Sequence, residues 1–201
     1  MKLIIVRHGE TIENQQGICQ GQLDGTLSSK GLQQSNLTAD RLQNEKIDTI
    51  FSSDLKRTVD TTKEIHKYHS NKPLIFDRRL RERYFGVFQG EKFPENKKGL
   101  SLPEGAESNE DLYQRISDFY IDIISKHIDH TILIVSHGVA IRMLITVIQK
   151  LSPSNINSIE ELKNGSITII EIIRGKTPEI TLYNSINHLE YSQLWNHFTS
   201  C

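Results

Sequence analysis

The sequence is poor in cysteine, and its two cysteines, Cys19 and Cys201, lie far apart. A disulfide framework is therefore not expected, and a reducing compartment is favoured. No apolar run approaches the roughly 18 residues that a membrane-spanning helix needs. The apolar run near the start, Leu3 to Val6, is also too short for the core of a signal peptide. We therefore expect a cytoplasmic protein without a membrane partner.

The sequence also lacks a net excess of positive or negative charge. The chain has 24 Lys and Arg against 25 Asp and Glu, and its net charge is -1. This balance gives no reason to expect a nucleic-acid partner. There is no internal repeat and no low-complexity tract. A length of 201 residues fits one domain with a sizeable core, and a homodimer is among the assemblies that the sequence allows.

Apolar runs typical of buried strands alternate with segments of helical spacing. They predict strands at residues 3–6, 47–51, 74–76, 132–135, 167–173 and 179–183. Helices are predicted at residues 32–42, 54–68, 111–128 and from 138 to about 150. The irregular, charged segment 78–105 is predicted to be a site-covering loop or small cap. The alternation predicts a single α/β domain over residues 1–201 with a largely parallel sheet.

Two His-Gly pairs each follow a predicted buried strand. They are His8-Gly9, preceded by Arg7, and His137-Gly138, preceded by Ser136. Composition alone predicts fewer than one such pair in a chain with eight His and twelve Gly. Ligands of parallel α/β sheets bind at the carboxyl ends of the strands. The two pairs therefore indicate a functional site at that edge.

The residue types at this edge suit a phosphoryl group. A phosphoryl group in transfer spreads negative charge over its oxygens, which the planar fork of an arginine such as Arg7 can hold. Glycines let backbone N–H groups approach an anion closely. A neutral imidazole can attack phosphorus directly, so no metal is needed to generate the nucleophile.

Five sequence blocks follow one another between residue 3 and about residue 142. They are Arg7 to Thr11 with Asn14, Ser52-Ser53 with Arg57 and Thr61, Leu80 to Gly86 with Gln89-Gly90, Pro103 to Ser108, and Val135 to Gly138. Their types and order resemble the signature of the histidine phosphatase superfamily, which includes cofactor-dependent phosphoglycerate mutases. The block at Pro103 departs from the pattern, with Ala106 as an extra residue.

The resemblance implies a three-layer α/β/α sandwich around a mixed, mostly parallel sheet. It implies that His8 is the nucleophile that becomes phosphohistidine, with no cofactor and no metal. Glu82 would protonate the leaving oxygen and later take a proton from water. Arg7, Arg57 and His137 would hold the phosphoryl oxygens. The predicted substrate-binding residues are Asn14, Gln20, Gly21, Arg83 and Gly138.

Several of these residues have other interpretations. Glu82 stands among arginines, and an ion pair would lower the pKa of its carboxyl and make it a poor acid. Glu107 is a second candidate acid, but its irregular block favours a substrate-lining or structural role. Arg57 could lie on a solvated helix face. The pairs His66/His69 and His127/His130 are spaced for a metal, yet no Cys or acidic cluster completes a ligand set.

The reaction also has alternatives. The block Glu82 to Gly86 with Gln89-Gly90 is closer to the mutase form, in which the phosphoryl group returns to a bound acid. The short connection between Gly90 and Pro103, without arginine, resembles the phosphatase branch instead. We therefore predict a phosphatase acting on a small phosphorylated metabolite. A signalling or binding module for phosphorylated protein is the alternative from another class.

Overall fold

A computed structural model describes residues 1–93 and 102–190. Its strands are β1 (Lys2–Arg7), β2 (Thr49–Ser52), β3 (Leu74–Phe76), β4 (Thr131–Ser136), β5 (Ile167–Glu171) and β6 (Glu179–Ser185). Its helices are α1 (Ile12–Gln15), α2 (Ser29–Leu42), α3 (Lys56–His66), α4 (Asn109–His127) and α5 (Gly138–Ile148). Across these two ranges, no helix is both long and apolar enough to cross a bilayer.

The six strands form one sheet in the order β3-β2-β4-β1-β5-β6. The four strands from β3 to β1 are parallel, whereas β5 is antiparallel to β1 and β6 is antiparallel to β5. The predicted mixed, mostly parallel sheet is confirmed. Arg7 at the end of β1 stands opposite Ser136 at the end of β4. This register makes the two His-Gly pairs neighbours, although they stand at positions 8–9 and 137–138 of the sequence.

Helices cover both faces of the sheet, which is why its central strands are continuous apolar runs. In β1, Leu3 and Ile5 face the core that includes α4 and α5. The alternate residues Ile4 and Val6 face the core that includes α2 and residue Ile65 of α3. The α/β fold is thus the predicted three-layer sandwich.

Helix α3 begins later than its sequence predicts. The prediction places Asp54 near the helix start, but α3 begins at Lys56 after the extended residue Leu55. Asp54 instead accepts two hydrogen bonds from Arg81, each 2.6 Å long. Asp54 therefore lies before the helix and forms an ion pair across the loop.

The described part of segment 78–105 packs against the loop that follows α1. It contains 3₁₀ turns at Arg78–Leu80 and Gly86–Phe88, and Ile18 forms a β-bridge with Lys92. Gly86 has φ +55°, and a Cβ there would lie 2.0 Å from the carbonyl oxygen of Glu104. Residues 94–101 lie outside the described residues, as do residues 191–201 of the tail. The cap role of the segment stays a prediction.

Replacing Ile116 by Ala should lower the free energy of unfolding by about 2–5 kcal/mol, because its fully buried side chain packs between α4 and the sheet. Ile121→Ala is the matched control, since Ile121 lies on the same helix and is 62% exposed. Its effect should stay within about 0.5 kcal/mol. Urea denaturation followed by circular dichroism measures both. Equal decreases in the free energy of unfolding for the two variants would contradict the burial of Ile116 in the core.

Candidate active site

His8 follows β1 at the carboxyl edge of the sheet, and it is 3% exposed. Its backbone N–H donates to the carbonyl oxygen of Ser136 at 3.1 Å, which ties it to the end of β4. Its Nδ1 lies 2.7 Å from the carbonyl oxygen of Gly9. Because a carbonyl oxygen can only accept, Nδ1 carries the ring proton and Nε2 keeps its lone pair.

The surroundings of His8 set its charge. Burial lowers the pKa of His8 well below its usual value, and the positive charges of Arg57 and Arg7 lower it further. The hydrogen bond to Gly9 raises this pKa but is a smaller effect. The imidazole is therefore neutral at pH 7, the form that can act as a nucleophile.

Gly9 allows α2 to approach the site closely. A Cβ at Gly9 would lie 2.4 Å from the carbonyl oxygen of Gly31, so a larger residue would push α2 away. The N–H of Gly9 donates to Oγ1 of Thr61 on α3 at 3.1 Å. The backbone after His8 is thus held between two helices, which restrains the direction of the imidazole ring.

Arg7 ends β1 and lines the same cavity as His8. Its Nη1 donates to the carbonyl oxygen of Leu162, while its buried Nε has no acceptor among the residues described. Burial lowers the pKa of Arg7, and the carboxylates of Glu82 and Glu161 act in the opposite direction. An unsatisfied buried donor costs about 1–3 kcal/mol or more. An anion bound beside Arg7 would remove that cost.

Arg57 lies in the first turn of α3 and is 1% exposed, so it does not occupy a solvated helix face. Its Nη1 and Nη2 donate to the carbonyl oxygens of Leu23 and Gly21, each at 2.7 Å. Its Nε donates to Nδ1 of His137 at 3.1 Å. Burial lowers the pKa of Arg57 to about 10, so it is still charged at pH 7. A guanidinium has five N–H groups, and two remain for a ligand.

His137 follows β4 and precedes α5, and its ring is fully buried. Because its Nδ1 accepts from Arg57, its Nε2 carries the proton and donates to Oγ of Ser53 at 2.8 Å. Burial lowers the pKa of His137 well below its usual value, and Arg57 adds to this effect. The ring centroids of His137 and His8 are 5.1 Å apart. The two imidazoles are therefore adjacent, but both ring nitrogens of His137 are occupied, so its predicted contact with a phosphoryl oxygen stays a prediction.

Glu82 is held by backbone N–H groups, including that of Arg83 at 2.9 Å, and not by the guanidinium groups beside it in sequence. Its carboxylate accepts from Val139 at 3.2 Å and from Ala140 at 3.1 Å, in the first turn of α5. The neighbouring Arg81 pairs with Asp54, and Arg79 with Asp77. In residues 1–93 and 102–190, no ion pair involves Glu82, so the ion-pair interpretation is wrong there. The carboxylate faces the cavity that His8 lines.

Most of the other predicted substrate-binding residues border this cavity. They are Asn14, Gln20, Gly21 and Gly138. Oδ1 of Asn14 accepts from Thr11 and from Asn164, so its Nδ2 is the end of the amide that can donate to an anion. Arg83 is buried outside the cavity wall, where its Nη2 donates to Asn109 at 2.6 Å. A direct role of Arg83 in binding stays a prediction.

The remaining alternatives from the sequence lie away from this cavity. Glu107 forms two hydrogen bonds of 2.7 Å with Arg115, which agrees with a structural role. His66 and His69 contact different backbone carbonyls, those of Lys72 and Leu42. Nδ1 of His127 lies 3.1 Å from Nδ1 of His130. No group of three His, Cys, Asp or Glu that could hold a metal occurs in the part of the chain that the structure describes.

Sequence reasoning missed part of the cavity wall. Arg142 lies four residues after Gly138, and residues at this spacing share a helix face. The spacing between Gly138 and Arg142 could therefore have identified Arg142 as a residue of the site. Glu161 and Leu162 come from the connection between α5 and β5, where the sequence has no motif that points to the site. Their position depends on how this connection folds back over β1.

Two buried histidines and Arg7 at the ends of two parallel strands, together with Arg57 from α3, give an α/β protein with a cavity whose charges suit an anion. The family model of the histidine phosphatase superfamily, branch 1, matches residues 3–186. The chain belongs to this superfamily, which confirms the resemblance of the five sequence blocks.

Relatives named for different activities are similar to this chain to nearly the same degree. Phosphoglycerate mutase-like protein 4 of Arabidopsis thaliana is 33% identical, over 94% of this chain and 87% of that protein. Metal-independent phosphoserine phosphatase of Arabidopsis thaliana is 32% identical, over 94% and 83%. The structure of Entamoeba histolytica phosphoserine phosphatase with 3-phosphoglyceric acid has a TM-score of 0.79 at 28% identity, covering 94% of this chain and 98% of that one. These similarities establish the superfamily and the fold.

The His8 resonance should titrate below pH 6.5 in an NMR experiment on histidine ring protons, because burial and two guanidinium groups disfavour the charged ring. Arg57→Gln should move the pKa of His8 upward, since it removes the larger of the two unfavourable charge interactions. His8→Gln assigns the resonance, and exposed Arg174→Gln is the control with no expected shift. A His8 that titrates at or above pH 6.5 would contradict the neutral, buried ring.

Proposed function

We propose that the protein is a phosphatase that hydrolyses a small phosphomonoester through a phosphohistidine on Nε2 of His8. The observation that carries the proposal is the tautomer of His8. Its proton is held on Nδ1 by Gly9, which leaves a lone pair on Nε2 of a neutral ring beside the cavity. A neutral imidazole attacks phosphorus without help from a metal.

In the first step, Nε2 of His8 attacks phosphorus, the P–N bond forms and the P–O bond to the alcohol breaks. The carboxyl group of Glu82 gives a proton to the leaving oxygen. Nε of Arg7, the two remaining N–H groups of Arg57 and Nδ2 of Asn14 are the donors for the phosphoryl oxygens. They stabilise the charge of the transferring group, which is the main task in phosphoryl transfer.

In the second step, water attacks phosphorus and the P–N bond breaks. The carboxylate of Glu82 takes a proton from the water, inorganic phosphate leaves, and His8 returns to its neutral form. The position of Glu82 supports both roles, because its carboxylate is fixed by the N–H groups of α5 against the same cavity. One carboxyl group can thus donate in one half of the reaction and accept in the other.

The size of the site supports a metabolite over a phosphorylated protein. The cavity is about 160 Å³, below the roughly 300–1,000 Å³ of pockets for drug-sized ligands. Its wall contains Phe85 and Phe93, whose ring centroids are 6.2 Å apart, from the segment that packs over the loop after α1. A short phosphomonoester fits such a cavity better than a protein surface does.

His8→Ala should abolish phosphate release and the acid-labile phosphoenzyme, because it removes the atom that accepts the phosphoryl group. Rapid acid-free quenching with a ³²P-labelled substrate measures the phosphoenzyme. His130→Ala, an exposed histidine outside the cavity, is the control and should keep both. EDTA should leave turnover unchanged. A His8→Ala variant with a normal phosphoenzyme would refute the proposal.

A separate measurement tests whether the protein is a phosphoglycerate mutase. The wild-type protein is expected to release inorganic phosphate from phosphomonoesters faster than it converts 3-phosphoglycerate into 2-phosphoglycerate. Both products are measured in one reaction with 3-phosphoglycerate. Rapid interconversion with little phosphate release would place the protein among the mutases, with the same phosphohistidine chemistry.

Glu82→Gln should slow alkyl phosphates by about 10²–10⁴-fold, because their leaving oxygen needs a proton. The loss on p-nitrophenyl phosphate should be much smaller, since p-nitrophenolate leaves without one. Steady-state kcat on both substrates tests this difference. Glu107→Gln serves as the control, because Glu107 is paired with Arg115 outside the cavity. Equal losses on both substrates for Glu82→Gln would remove it from the acid role.

A further inference from the structure

The cavity wall has a second pair of charged side chains, Arg142 and Glu161, besides the groups that surround His8. Arg142 projects from α5 and Glu161 from the connection that precedes β5. They have opposite charges, yet no ion pair joins them within the described ranges. Both charges therefore remain available to a bound molecule.

Arg142 is held in place without being neutralised. Its Nη2 donates to the carbonyl oxygen of Ile156 at 2.7 Å, which anchors one end of the guanidinium. Its Nε is buried and has no acceptor in the described part of the chain. No carboxylate of the residues described pairs with it. A positioned guanidinium with free donors at a cavity wall suits a carboxylate, which it can bind with two parallel hydrogen bonds.

Glu161 has the opposite charge to Arg142 and therefore favours a positively charged group. Its side chain lies at the exposed edge of the cavity, close enough to raise the pKa of the Arg7 guanidinium. A carboxylate beside a site for a phosphate dianion repels any purely anionic substrate. Arg7 compensates part of this repulsion, and a positive group of the substrate near Glu161 would offset the rest. An ammonium group is a group of this kind.

We propose that Arg142 and Glu161 form a subsite for a zwitterion, and that the substrate is a phosphorylated α-amino acid of the phosphoserine type. Arg142 binds its carboxylate and Glu161 binds its ammonium group, while the phosphate lies against His8. This inference rests on the proposed phosphatase function and names its substrate class. In such an amino acid both charged groups are attached to one carbon, two bonds from the phosphate oxygen, so the compact cavity accommodates them together.

Four substrates test the contributions of the carboxylate and the ammonium group independently. O-Phospho-L-serine has both, 3-phosphoglycerate has only the carboxylate, phosphoethanolamine has only the ammonium group, and p-nitrophenyl phosphate has neither. For the wild-type protein, kcat/KM for phosphoserine should exceed the values for 3-phosphoglycerate and phosphoethanolamine by at least about tenfold, the effect of one good polar contact. A preference for 3-phosphoglycerate over phosphoserine would overturn the proposal.

Two substitutions should have opposite substrate dependence when each kcat/KM is divided by that for p-nitrophenyl phosphate. Arg142→Met should lower the ratios for phosphoserine and 3-phosphoglycerate about tenfold or more, with little change for phosphoethanolamine. Glu161→Gln should lower the ratios for phosphoserine and phosphoethanolamine and raise that for 3-phosphoglycerate, because it removes a repulsion. If Arg142→Met does not fold, Arg142→Lys keeps the charge and should show a smaller loss on the same two substrates.

Controls distinguish this inference from the phosphatase proposal. Arg174→Met and Glu171→Gln make the same chemical changes at exposed positions towards the other end of the sheet, where Glu171 stands opposite Lys2 in the strand register. They should leave all four ratios unchanged. If p-nitrophenyl phosphate is hydrolysed but Arg142→Met and Glu161→Gln change every ratio equally, the zwitterion subsite is refuted and the phosphatase stands. If the wild type neither hydrolyses p-nitrophenyl phosphate nor forms phosphohistidine, the phosphatase proposal itself fails.

Discussion

The hydrogen bond from Nε of Arg57 to Nδ1 of His137 is the contact on which the site depends. It joins the first turn of α3 to the end of β4, and it fixes the tautomer of His137. The same guanidinium reaches the carbonyl oxygens of Leu23 and Gly21, so one side chain connects three separate parts of the chain. Its charge also helps keep the neighbouring His8 neutral.

This arrangement buries positive charge without a matching anion. Arg7 and Arg57 are shielded from water, and their protein partners are mainly neutral carbonyl oxygens together with a histidine. Glu82 and Glu161 offset part of the charge through space, without an ion pair among the residues described. A buried charge that is only partly compensated favours the binding of an anion. The dianionic phosphate of the proposed substrate would supply the missing negative charge.

The proposed chemistry divides the cavity into two ends. In that proposal, the end around His8 would bind every phosphomonoester in the same way, because its donors would contact only the phosphoryl oxygens. The other end, with Arg142 and Glu161, would select among them by the charges that the alcohol carries. Such a division agrees with a superfamily whose members are named for different activities on one fold. Function then depends on the groups added around a shared site.

The sequence by itself determined the α/β class, all six strands of the described residues and most residues of the candidate site, because buried strands and short motifs are local patterns. It did not determine whether Glu82 pairs with arginine. Ion pairs with Asp54 and Asp77 take Arg81 and Arg79 away from it, and only the tertiary structure brings those partners together. The same holds for Arg142 and Glu161, which meet at one cavity because two segments about twenty residues apart fold against β1. Tertiary packing decides which charged side chains face each other, and a local sequence pattern does not contain that information.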